Sequence, residues 1–96
     1  MTNLLNKVTN FVCRKYGAEY SECWIRAIAA MAIKLAIHRD DKTGDGLKLA
    51  IVDVVSEITM QLQKRNTLTV CIMRDAQGSY PALIDQNGTM ILEWFK

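Results

Sequence analysis

Ninety-six residues, half of them hydrophobic and 23% charged, exclude a disordered chain and predict a single domain over residues 1–96. A chain of this length buries roughly 60 to 70% of its unfolded surface and has none to spare for a second core. The net charge of +2 is scattered, with basic residues only in short pairs such as Arg14-Lys15 and Lys64-Arg65, so no stripe exists to neutralise a run of phosphates and nucleic acid is not the expected partner. The longest apolar candidate for a membrane span, Cys23 to Ile37, is broken by Arg26 and Lys34.

The first predicted element is an amphipathic helix from Leu4 to Tyr16, with Leu4, Leu5, Val8, Phe11, Val12 and Tyr16 at helical spacing and Lys7, Asn10, Arg14 and Lys15 on the other side. Gly17 follows a basic last turn, as a C-terminal cap does, and Ser21 or Glu19 can open the next element. The second helix, "ECWIRAIAAMAIKLAIH", is alanine-rich and apolar nearly all round, the pattern of a helix buried on most sides, and is expected to be central. A third follows "DDKTGDG", with Leu47, Ala50, Ile51, Val54, Val55, Ile58 and Leu62 on one face, and ends near Asn66.

Beyond Asn66 the pattern changes to "TLTVCIMRD", "SYPALIDQ" and "TMILEWF", β-branched and aromatic runs separated by turn signals at "AQGS" and "QNG". Asn87-Gly88 is the strongest hairpin signal, since both residues tolerate the positive φ of a type I′ turn. The expected architecture is therefore α+β, with three N-terminal helices packed on a C-terminal three-stranded antiparallel meander.

The lone histidine lies in "HRDDKTGDG". Asp41, Thr43, Asp45 and Gly46 in that stretch resemble the opening of an EF-hand calcium loop, but the twelfth position is Val52 where a bidentate glutamate is needed and the eighth is Lys48. A polar connection in which Asp45 or Thr43 caps the third helix accounts for the same residues, and no metal is expected. Cys23-Trp24 resembles the dipeptide at the nucleophile of papain-like cysteine proteases, which implies a cysteine hydrolase using Cys23 with His38 as base. Tyr20, Ser21 and Glu22 depart from that pattern, and Glu22 sets a like charge beside the thiolate that such a nucleophile needs. On one helix, moreover, the fifteen residues between Cys23 and His38 span about 22 Å, beyond proton-transfer reach. Cys13, Cys23, Cys71 and His38 lack the short spacings that preform a zinc site, and no cofactor is expected.

With one histidine, no credible triad and no complete metal motif, the expected function is non-enzymatic protein binding, as an inhibitor or adaptor of a larger protein or complex. The size fits a phage or mobile-element product that blocks a host machine. "MTNLLNKVTNF" has no basic start, apolar run and cleavage site, and three cysteines form no disulfide framework, so a cytoplasmic location is expected. The alternatives are the Cys23 hydrolase and a nucleic-acid module using Lys7, Arg14 and Lys15. Two-residue turns at Gln77-Gly78 and Asn87-Gly88 would pair Ile72 with Leu83 and place Leu68, Val70, Ile72, Leu83, Met90, Leu92 and Trp94 on the face covered by helices. They would leave Cys71, Met73, Tyr80, Ile84, Ile91 and Phe95 on an exposed apolar face. Met73, Tyr80, Ile84, Ile91 and Phe95 are the expected partner-binding residues, for another protein or a second copy in a homodimer.

Overall fold

The structure, a computed structural model, describes residues 2–40, 44–64, 68–76 and 78–95. Three helices, α1 (Thr2–Tyr16), α2 (Glu22–Asp40) and α3 (Gly44–Lys64), precede two strands, β1 (Thr69–Asp75) and β2 (Gly78–Ile84), and a 3-10 turn (Ile91–Phe95). The α+β class and the order of helices before strands are as expected. No helix among the described residues is long and apolar enough to cross a membrane.

α1 buries Val8 and Val12, rests Leu4, Leu5, Phe11 and Tyr16 against the core, and exposes Lys7, Asn10, Arg14 and Lys15. It stops where Gly17 N–H donates to the Cys13 carbonyl at 2.8 Å, at a position where a Cβ would come within 2.4 Å of that carbonyl oxygen, so only glycine fits. α2 is the central element. It packs on α1, α3, β1, β2 and the 3-10 turn, and buries every residue from Ala27 to Ile33. A helix with neighbours on so many sides has no room for a polar stripe, which is why its sequence lacks one. Alanines at 27, 29, 30, 32 and 36 keep those neighbours close, while Ile28, Met31 and Leu35 fill the space between them.

α3 buries Ala50, Ile51, Val54, Val55, Ile58 and Leu62, the stripe that its periodicity predicts, with Leu47 half-buried. Thr59 is the one buried polar residue among those described. Its hydroxyl donates back to the helix carbonyls of Val55 and Ser56, each at 3.0 Å, and lies 3.4 Å from the Tyr16 hydroxyl of α1. The polar group is thus satisfied without solvent.

The strands form an antiparallel hairpin in which Asp75 faces Gly78, Met73 faces Tyr80, Ile72 faces Pro81 and Val70 faces Leu83. The ladder therefore closes at Asp75 and Gly78, not at the Gln77-Gly78 turn expected, and Ile72 meets Pro81 instead of Leu83. Gly78 has φ +123°, a conformation L side chains rarely adopt. A closing pair separated by two residues can only be a hydrogen-bonded one. Alternation then makes 75/78, 73/80, 71/82 and 69/84 hydrogen-bonded pairs, and leaves 74/79, 72/81 and 70/83 with backbone groups pointing away from each other. Pro81, with no N–H, falls in the second set, where it costs the hairpin no bond.

Among the described residues the expected third strand is not seen. From 89 to 95 the chain makes one isolated bridge, Ile84 with Met90, and then turns into the 3-10 segment. Two causes act together. The connection is a three-residue loop, 86–88, closed by Asp85 N–H to the Thr89 carbonyl at 2.9 Å, with Asp85 Oδ1 accepting from the amides of Asn87 and Thr89 and Gly88 at φ +80°. It contains one residue more than the type I′ turn expected at Asn87-Gly88, so the register slips by one and exchanges the faces. The outward side of β2 also lacks a donor at Pro81, so a strand continuing along that edge would lose a ladder bond two residues past Leu83. Ile91 instead enters the core, fully buried, with Leu92, Trp94 and Phe95 packed against it.

Candidate functional site

The five residues expected on one sheet face divide between the hairpin and the 3-10 turn. Met73 and Tyr80 are cross-strand partners and Ile84 shares their face, all three half-buried. Ile91 and Phe95 lie in the 3-10 turn, Ile91 with no exposed surface and Phe95 half-buried. The face of Met73, Tyr80 and Ile84 is also the one that meets α2. Lys34 of α2 places Nζ 4.0 Å from the centre of the Tyr80 ring and pairs with Asp75, which belongs to the same face. The expectation that this face is free is corrected by that contact. The opposite face is not simply the covered one: Leu83 is fully buried, but Ile72 is 68% exposed. Ala82 and Leu83 point to opposite faces and are both fully buried, so the sheet is covered on both sides at that end of β2.

Ile72 therefore stands out. It is the midpoint of β1, and its side chain is open to solvent. Among the described residues no strand pairs with the outer edge of β1. The alternation fixed by the closing pair turns the backbone N–H and C=O groups of Val70, Ile72 and Arg74 toward that edge. The outer edge of β2 is guarded by Pro81 and by the returning 3-10 segment; β1 carries no proline and no bulge. Sequence reasoning missed this edge by making β2 the middle strand of a meander. The available signal was Pro81, which marks an edge strand.

Two polar and aromatic clusters lie elsewhere. At the α1–α2 corner Tyr16, Tyr20 and Trp24 form a ladder with ring centres 6.5 and 5.9 Å apart, the second pair stacked within 6° of parallel. Burial, then the carboxylate of Glu19 and the Tyr16 hydroxyl, push the Tyr20 phenol above its ordinary pKa. At the far end of α2, Arg39 donates to Glu57 of α3 at 2.6 Å and to the Phe95 carbonyl at 3.2 Å, with its guanidinium 5.6 Å from the Phe95 ring centre. One side chain thus clips α2, α3 and the 3-10 turn together.

Cys23 and His38 occupy opposite ends of α2 and are not brought together. Cys13, Cys23 and Cys71 are free thiols, and no group of three His, Cys, Asp or Glu side chains converges among the described residues. Asp41 and Thr43, which open the calcium-loop resemblance, lie outside the described residues. Compared with protein-family models, with curated proteins and with solved structures, the chain has no match.

Proposed function

We propose that this chain is a protein-interaction module, acting as an inhibitor or adaptor of a larger protein or complex, and that it engages an extended segment of its partner by strand addition at the outer edge of β1. The observation that carries this reading is the outer edge of β1, with which no described strand pairs, and Ile72 exposed at its centre. Strand addition draws affinity from main-chain hydrogen bonds and specificity from alternate side chains. Val70, Ile72 and Arg74 supply both, because their backbone groups face outward and their side chains share one face.

The reading is tested by capture from host extract with wild-type protein, Ile72→Lys and, as a surface control, Met60→Lys on the exposed side of α3. Ile72→Lys should lose the retained partner while Met60→Lys keeps it. Both should unfold within about 0.5 kcal/mol of wild type, since neither side chain is packed. Equal retention by wild type and Ile72→Lys would contradict the assignment.

A further inference from the structure

A seven-residue strand with an apolar centre and an outer edge that no described strand covers is a hazard to the chain that bears it, because any other unpaired strand can add to it. The strand most available to it is its own copy. We infer that in the absence of a partner strand the outer edge of β1 is occupied by β1 of a second copy, antiparallel and centred on Ile72. The inference rests on reading that edge as a binding surface, and it names the occupant.

The argument is one of register. A two-fold axis pairs residues whose numbers have a constant sum, and a pairing uses the outward groups of both strands only if Val70, Ile72 and Arg74 meet one another. Centring the axis on Ile72 pairs Ile72 with its own copy and Val70 with Arg74, in both directions, so every outward backbone group of the three residues gains a partner. Centring it on Cys71 or Met73 leaves one of the three without a partner from that set, and a half-integral centre sets outward groups against inward ones. The favoured register is therefore the longest one, and its two-fold symmetry makes the contact self-complementary.

Side chains agree with this register. Ile72 covers its counterpart, removing from water the side chain that is 68% exposed in one copy. Arg74 lies beside Val70 of the second copy and Asp75 beside Thr69, so no like charges face each other across the axis. Two hairpins would become one four-stranded sheet in the order β2-β1-β1-β2, with the Pro81-bearing strands outermost, where proline is tolerated. A contact of two seven-residue strands falls at the small end of protein interfaces, so the dimer should be reversible and concentration-dependent.

The neighbouring pairs provide a covalent test. In this register Cys71 faces Met73 of the second copy in a non-hydrogen-bonded pair, whose Cα atoms stand about 4.5 Å apart, within disulfide reach. In a background of Cys13→Ser and Cys23→Ser, oxidised Met73→Cys should run as a covalent dimer. Within one chain the same two positions are neighbours on one strand and do not give that product. Sedimentation equilibrium from micromolar to millimolar protein should carry the wild type from one 10.9 kDa chain to two, and Ile72→Lys should remain monomeric with its folding intact.

A wild type that stays monomeric over the whole range, or a dimer that Ile72→Lys leaves unchanged, overturns the inference. Should Met73→Cys fail to fold, the Ile72→Lys comparison decides alone, because that side chain is not packed in the monomer. The two readings fail separately. A monomeric wild type whose partner capture is lost in Ile72→Lys refutes the second copy and keeps strand addition. An Ile72-dependent dimer whose partner capture is indifferent to Ile72→Lys does the reverse.

Discussion

Tyr20 shows how a single side chain reports the packing of the α1–α2 corner. Its phenol rests between Tyr16 and Trp24, and burial favours the neutral form, with Glu19 adding to the shift. The folded pKa is raised above the ordinary 10.0, so the folded state binds this proton more tightly than the unfolded chain does. Its contribution is complete below the unfolded value and is lost as pH rises from about 10 through the folded value. The thermal midpoint of wild type should accordingly fall above pH 10 more steeply than that of Tyr20→Phe, which has no proton to lose. Parallel alkaline profiles would show that the corner does not hold the phenol as described. The ladder combines residues from α1, the corner and α2, and its spacing is partly legible: Tyr16, Tyr20 and Trp24 recur every four residues, although Gly17 interrupts the helix between them.

At the scale of elements, α2 organises everything else. Ala32 is fully buried in it, and Ala32→Leu should overpack the contact and cost roughly 1 to 3 kcal/mol in denaturant titrations. A neutral result would mean that α2 is not pressed between its neighbours. Arg39→Ala should behave differently. Its ion pair with Glu57 is partly exposed, so global stability should change by no more than about 1 kcal/mol, while amide exchange within Ile91–Phe95 should quicken because the clip to the Phe95 carbonyl is lost. All three helices were legible from period alone, since each hides a face whose width the sequence records: narrow in α1, nearly complete in α2. The third strand was not, for a definite reason. "TMILEWF" has strand-like composition, but its fate is decided by a proline in a different segment and by one residue of loop length. Neither can be weighed by reading 89–95 in isolation.

For the whole molecule the same two details decide which surface is available. Met73, Tyr80 and Ile84 were correctly placed on one face by strand parity, which survives a shift of the pairing by two. Whether that face is free depends on where Lys34 of α2 reaches, and this is tertiary information. Ile72 was legible as an apolar strand residue but not as an exposed one, because its exposure follows from what does not lie beside β1. The central claim is that Val70, Ile72 and Arg74 turn their backbone toward an edge that another strand can fill. Residue-resolved amide exchange tests this most directly, comparing wild type at millimolar concentration with Ile72→Lys. Thr69, Cys71, Met73 and Asp75 bond to β2 and should exchange slowly in both samples; Val70, Ile72 and Arg74 should be slow in wild type, and the amides of all three positions should be fast in the variant. Protection of Val70 and Arg74 in Ile72→Lys equal to that in wild type would contradict the account, as would rapid exchange of the outward set in wild type both at that concentration and with a captured partner bound.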